Sequence, residues 1–316
     1  MLGVHAEQRR ERHTHAVGSI MSNAMRVCSF LPSATEILFA LGLGDSVAGV
    51  TYECDYPSEA RLKPVIVFSN LQPALLEREI DREVKDSSAT GQSLYRLDAE
   101  RLRAIAPDLI ITQDLCHVCA ASPNDLAAVL AGLTPRPEVL CLNSHTVAEV
   151  LNDVLKVGIA TGCPEEAQEL VARLKQQIAG TRSDAFANAP HVLCLEWLDP
   201  PFVAGHWVPE MVALAGGIDV LGKVGEHGHE VSWQTITASD PDVILAMPCG
   251  FHTPEVEAEL KKIPFPPEWY ALRAVKNNHV FPVDASSYFS RPGPRIAEGV
   301  AVLADLFRQI QKPVAA

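Results

Sequence analysis

The chain comes close to stating one pattern twice. AIAPDLIIT at 104–112 aligns with ASDPDVILA at 238–246, Pro107 over Pro241 and Asp108 over Asp242, an offset of 134 residues. The order around the match returns as well. In the first half RVCSFL precedes SATEILFALG, ERLRAIAP leads into DLIITQ, and EVLCLN precedes TVAEVLNDVLKVGIATG. In the second, HVLCLEW precedes PEMVALAGG, ITASDP leads into DVILAMP, and HVFPVD precedes PRIAEGVAVLADLF. Short apolar runs alternating with helical periodicity describe mainly parallel sheets covered by helices. Their recurrence describes two similar α/β lobes, expected at 25–162 and 190–316.

Between the two lies CPEEAQELVARLKQQIAGTRSDAFANA, at 163–189. Pro164 suits a first helical turn, Glu165 and Glu166 suit the positive end of the helix dipole, and Leu170, Val171, Leu174 and Ile178 recur at helical spacing. A helix over 164–186 would span about 34 Å, so one long helix is expected to join the lobes, with a ligand cleft between them. At the first helix Ser33 and Glu36 have the spacing of a capping box, and Gly42 and Gly44 mark its end.

Composition narrows the partners. With 39 acidic against 26 basic side chains the formal charge is −13, the reverse of what phosphate neutralisation needs, so no nucleic acid is expected. No run approaches the ~18 apolar residues of a membrane span. Residues 1–24 carry no secretory core and read as a disordered leader or a cloning-derived segment. The expected compartment is therefore cytoplasmic, or periplasmic or cell-surface if the true start lies upstream. The eight cysteines fall largely in apolar runs, as reduced thiols do when they act as small core residues.

Ligands of open α/β sheets bind beyond the carboxyl ends of the strands. Those positions hold Tyr52-Glu53-Cys54, the segment Gln113 to Cys119, Asn143-Ser144-His145, a loop with Trp197, Phe202, His206 and Trp207, Cys249 to His252, and Ser286 to Arg291. Phe202 and Trp207, flanked by Pro201 and Pro209, are hard to bury in a regular layer and are expected to touch ligand. Trp197 follows its strand directly and is as well suited to core as to ligand wall. Cys116 and Cys119 form a CxxC around His117 that lacks the second pair of a zinc site. Cys54, with His117 or His145, could complete a soft metal site, and His206 is the first candidate for an axial nitrogen. No nucleophile elbow, phosphate loop or paired carboxylate stands out, so a binding protein is expected and an enzyme is not.

The segments SFLPSATEILFALG, VTYECDYP, LDAERLRAIAPDLIIT, LDPPFVAGHWVPEMVALAGG, VSWQTITASDPDVIL and SYFSRPGPRI give the chain, from Arg26 to about Gln311, a resemblance to the cobalamin and iron-chelate substrate-binding proteins of ABC importers. Its vitamin B12-binding branch is the nearest. The resemblance implies a corrinoid, cobalamin by expectation, with Tyr52, Phe202, Gly205 and Trp207 at the corrin. In SYFSRPGPRI, which matches the final ligand-facing loop, Tyr288 and Phe289 lie beside Arg291, the match to a polar contact with the corrin amides; Ser287 stands where the family has an acidic partner. It also implies docking on a permease through Glu100, with Gln234 at the second docking position and Glu226 or Glu230 nearby. The alternatives are haem, a ferric chelate or a metal ion held by the Cys and His residues, or a cytoplasmic corrinoid-handling enzyme.

Overall fold

The repeated aspartates do the same work in both halves of the computed structural model, which describes residues 25–72, 75–90, 92–113, 129–181 and 189–311. Asp108 Oδ2 accepts the backbone N–H of Arg26 at 2.8 Å, and Asp242 Oδ2 accepts that of His191 at 2.9 Å. Each bond ties the start of one central strand, β1 (Val27–Ser29) or β7 (His191–Leu198), to the turn before its parallel neighbour, β5 (Leu109–Thr112) or β11 (Val243–Ala246). The helices before β5 and β11 match too. Asp98 and Ser232 cap Ala99–Ile105 and Trp233–Ser239 by accepting the N–H of Arg101 and Thr235, and Ala106 (φ 44°) and Asp240 (φ 37°) close them in the left-handed conformation.

The remaining strands are β2 (Val47–Thr51), β3 (Val65–Ser69), β4 (Tyr95–Leu97) and β6 (Glu138–Cys141) in the first half, and β8 (Pro201–Val203), β9 (Ile218–Asp219), β10 (His229–Glu230) and β12 (Val280–Pro282) in the second. They build two separate sheets, ordered β4-β3-β2-β1-β5-β6 and β10-β8-β7-β11-β12, with β9 paired to β7. Pairing is parallel except for β4 on β3, β8 on β7 and β10 on β8. Strands β5 and β11 are buried at every position, as strands covered on both faces must be.

Helices among the described residues are α1 (Pro32–Ala40), α2 (Glu77–Thr90), α3 (Ala99–Ile105), α4 (Val147–Ala160), α5 (Pro164–Thr181), α6 (Val208–Leu214), α7 (Trp233–Ser239), α8 (Thr253–Lys262), α9 (Pro267–Ala271), α10 (Arg273–Lys276), α11 (Ala285–Tyr288) and α12 (Ile296–Gln311). The joining helix is α5. It is helical for 18 residues, about 27 Å at 1.5 Å per residue, and residues 182–188 of the expected stretch lie outside the described residues. Ala167, Leu170, Val171, Leu174 and Ile178 are its buried stripe, set against α4 on one side and α12 on the other. A single apolar cluster therefore runs from Ile37 and Leu38 through Leu170 and Leu174 to Trp207 and Phe307.

Two local expectations are corrected. The capping box at Ser33 and Glu36 does not form: α1 starts at Pro32 with Leu31 as N-cap and no side-chain cap bond. Proline at the first helical position removes one donor that a cap would satisfy, and the Glu36 carboxylate is taken by two arginines from the second half. A capping box does form at Thr146 and Glu149, at the start of α4. Trp207, expected to resist burial, is 7 % exposed, and its indole N–H is donated to the Phe289 carbonyl at 2.9 Å. The loop 205–207 turns inward before α6, which carries the ring into the core. The reading of residues 1–24 lies outside the described residues.

Candidate functional site

The carboxyl ends of both sheets face one junction, and side chains from the two halves meet there in three groups. The first is a chain of charges. Arg291 donates to Asp55 Oδ1 at 2.6 Å, to Glu36 Oε1 at 3.4 Å and to the Glu53 carbonyl at 3.0 Å. One turn on, Arg295 grips both oxygens of Glu36, at 2.9 and 2.6 Å, with its guanidinium 4.1 Å from the centre of the Tyr56 ring. His252 Nδ1 lies 3.1 Å from the Asp284 carboxylate and its Nε2 3.5 Å from Asp55. Burial pushes the Glu36 carboxyl above its ordinary value even though two guanidiniums pull it down. Asp55 is less deeply placed: burial raises it, but Arg291 and His252 together outweigh that and hold it below the usual carboxylate range.

The second group is the foot of α2. Glu77 is 1 % exposed, and its Oε2 accepts the N–H groups of Leu198 at 2.6 Å and Asp199 at 3.2 Å. Its Oε1 has no partner among the described residues. Burial drives this carboxyl up to about 7 against the pull of those two N–H groups, because removing an anion from water costs more than two neutral donors return. Arg78 pairs with Asp199 at 2.6 Å, and Lys85 reaches Glu230 at 3.5 Å.

The third is a cluster of imidazoles. His145, beyond β6, puts its Nδ1 3.2 Å from Nδ1 of His206, and His227 stands edge-on to His206 with ring centres 4.7 Å apart. Burial, then His227 and His145, push His206 down to about 4. Val147 N–H donates to Glu210 Oε2 across the same contact at 2.7 Å.

The aromatic candidates divide. Tyr52 is 43 % exposed, its hydroxyl on Glu53 at 2.8 Å and its ring 6.5 Å from Tyr95. Phe202 and Trp197 are half-buried partners in the β7–β8 register, and the Trp197 indole N–H, buried, has no partner among the described residues. Trp197 also meets Phe251 edge to face at 6.1 Å. Gly205 is explained by backbone: a Cβ there would collide with the carbonyl of Glu226 and the N–H of Gly228. Tyr288 is half-buried and Phe289 is core, 2 % exposed. Glu100 and Gln234 are both exposed, each the second residue of its helix, α3 and α7.

Of the soft-ligand set, Cys116, His117 and Cys119 lie outside the described residues. Cys54 is buried, its sulfur 3.1 Å from the Thr35 hydroxyl and 3.4 Å from that of Thr51, and burial raises its thiol above the ordinary value. Among the described residues no group of three His, Cys, Asp or Glu side chains is arranged to hold a metal ion. A cavity of about 620 Å³ borders the first group along α5, lined by Glu36, Tyr56, Leu170, Arg173, Gln177 and Arg295 among others.

Sequence reasoning missed Glu36, Asp55, Glu77 and Arg295 as residues of this junction, whereas His252 lies in the expected strand-end segment Cys249 to His252. Arg295 had a signal, since it follows Arg291 at helical spacing and precedes the apolar face of α12. Glu77 had none, because EREIDREVKD reads as a solvated helix.

Two α/β halves on one connecting helix, with strand ends opposed, define a class of ligand-binding proteins, and the comparisons place the chain within it. It belongs to the periplasmic binding protein family, whose model matches residues 27–286; this is a family of binding proteins and not of enzymes. It is 24 % identical over 297 residues to the vitamin B12-binding protein of Vibrio cholerae, covering 92 % of this chain and 91 % of that protein. It is 25 % identical to a Bacillus subtilis protein described as an uncharacterised ABC transporter substrate-binding lipoprotein, YvrC, covering 91 % of this chain and 81 % of that one. The periplasmic haem-binding protein RhuT of Roseiflexus sp. RS-1 superposes with a TM-score of 0.68 at 25 % identity, over 91 % of this chain and 99 % of that one. The periplasmic vitamin B12-binding protein BtuF of Vibrio cholerae superposes at 0.65 and 22 %, over 92 % and 99 %. No helix among the described residues is long and apolar enough to cross a membrane.

Proposed function

We propose that this protein is the substrate-binding component of an ABC importer and holds a corrinoid, cobalamin by preference, between its two lobes, divided at 163–189. Full-length similarity to proteins named for vitamin B12 carries the reading. The side chains at the strand ends support it: Tyr52, Trp197 and Phe202 offer ring surface to a macrocycle, and the unpartnered indole N–H of Trp197 offers a donor to a peripheral carbonyl. Arg291 is engaged by Asp55 and Glu36, so it reaches corrin amides only when the lobes part. Asp55 thus takes the place of the acidic partner missing at Ser287. Trp207 acts from beneath, fixing the loop through Phe289. Glu100 is the docking residue toward a permease, and the protein works where such importers collect cargo, outside the inner membrane.

Burial of roughly 300 Å² of apolar ligand surface at about 25 cal/mol/Å² gives a gross gain near 7.5 kcal/mol, enough for micromolar affinity before the costs of ordering. Titration of micromolar protein with hydroxocobalamin should quench tryptophan emission and shift the visible bands of the cobalamin with a stoichiometry of one. Haem is the competing cargo, favoured by the haem-binding structural neighbour. Saturable binding of hemin with no response to hydroxocobalamin would replace the corrinoid by haem, and silence to both would remove the reading.

A further inference from the structure

Among the described residues, α2 alone is a helix that no other helix or strand packs closely along. The chain leaves β3 and returns to β4 at one point, where Asn70 donates its N–H to the Leu94 carbonyl at 2.8 Å and its side-chain amide to the Ser93 carbonyl at 2.9 Å. Strand β4 is an edge strand antiparallel to β3, which itself runs parallel to β2, so this root stands at the carboxyl end of the first sheet. Tyr95, at the start of β4, lies there with its ring 6.5 Å from that of Tyr52. From the root α2 reaches the second half. Glu77 accepts the N–H groups of Leu198 and Asp199, Arg78 pairs with Asp199 at 2.6 Å, and Lys85, two turns on, reaches Glu230 of the edge strand β10 at 3.5 Å. Leu198 and Asp199 lie between Trp197 and Phe202 in the chain, so the two ends of the excursion are anchored at the two sets of strand-end rings.

We propose that α2 is a hinged arm, rooted at Asn70 and latched on the second half at Glu77, that opens as one unit while the rest of the fold stays closed. Its sequence gives it little else to hold on with. Of its fourteen residues only Ile80 and Val84 are large and apolar, and Glu77 is its one fully buried residue among those described. A helix of this length is marginal alone in water, so docking is what orders it. The contacts that dock it are polar, and the ion pairs at Arg78 and Lys85 are exposed enough for water to compete with them. The latch also carries a cost. One oxygen of Glu77 is buried without a partner among the described residues, and burial, then the neighbouring carboxylates of Glu259 and Asp199, disfavour its anion. Undocking returns that carboxylate to water and frees the turn that bears Trp197 and Phe202, with both sheets intact. The arm therefore governs access to the junction, whichever cargo the junction holds.

Hydrogen exchange of the full chain without cargo, at pH 7.5 and corrected for intrinsic rates, tests this in peptides covering α2, residues 195–200, α5 and β11. Helix α2 should exchange about a hundredfold or more faster than α5. Lys85→Glu, which sets like charges against Glu230, should lower the protection of α2 and of the Leu198 and Asp199 amides together by about threefold or more, although those amides bond Glu77 and not Lys85. Glu77→Ala should lower both by about tenfold or more, and Glu77→Gln, which keeps an acceptor and removes the charge, should hold or raise them. Protection of α2 equal to that of α5 in the unmodified protein overturns the arm. So does a Lys85→Glu effect confined to α2, which denies a common opening, or a loss shared equally by α5 and β11, which reports general loosening. No cargo enters the measurement, so its failure leaves the corrinoid reading standing, and failure of cobalamin to bind leaves the arm standing.

Discussion

Glu36 is 3 % exposed between Arg295 and Arg291, and a buried pair of this kind is costly to halve. Replacing Arg295 by Ala leaves the carboxylate without its two-point partner and should destabilise the protein by about 3–5 kcal/mol in urea unfolding; a change under about 1 kcal/mol would show that the charge network contributes nothing to stability. Glu77 gives a prediction with a sign. Its folded pKa is about 7, raised from 4.5 chiefly by burial. Its stabilising contribution is therefore present below the free value and is lost as pH rises from 4.5 through 7. Glu77→Gln should flatten the decline in stability between pH 5 and pH 8 by about 1–3 kcal/mol, and an unaltered slope would place the titration elsewhere. These residues also mark what the sequence could reveal. The exposed place of Tyr52 was legible because it directly follows the apolar run that forms β2. Glu36 was misread because S-x-x-E describes a capping box in isolation and says nothing of two arginines more than 250 residues away.

At the level of elements, α5 packs against α4 of the first half and α12 of the second. Its apolar stripe was visible at 3.6-residue spacing, and so were the strand-turn-helix repeats whose aspartates proved equivalent. Leu174, 6 % exposed on that stripe, packs where both halves meet the helix. Leu174→Ala should cost about 2–5 kcal/mol, whereas Lys175→Ala on the exposed face should stay within about 0.5 kcal/mol. Equal effects would mean that α5 does not bind the halves together. The order β8-β7-β11 with β9 folded back on β7 was not legible, because strands of two or three residues leave too little periodicity to read. The same holds for Trp207: proline on both sides of its loop argued for exposure, and the inward turn at Gly205, imposed by the backbone at 226–228, reversed it.

For the whole molecule, the two sheets, the single connecting helix and the opposed strand ends follow from a repeat that the chain carries on its surface, while the contacts between lobes depend on pairs too distant in sequence to anticipate. Those contacts, at Arg291–Asp55, Glu77–Leu198 and His145–His206, stand where the corrinoid is proposed to enter. The cobalt atom itself reports whether that is so. Anomalous scattering from crystals grown with hydroxocobalamin should place one cobalt per chain at the junction, within reach of the loops that bear Tyr52, Trp197 and Phe202. A cobalt held on the outer face of either lobe or in the cavity along α5, or crystals that take up none, would contradict the account.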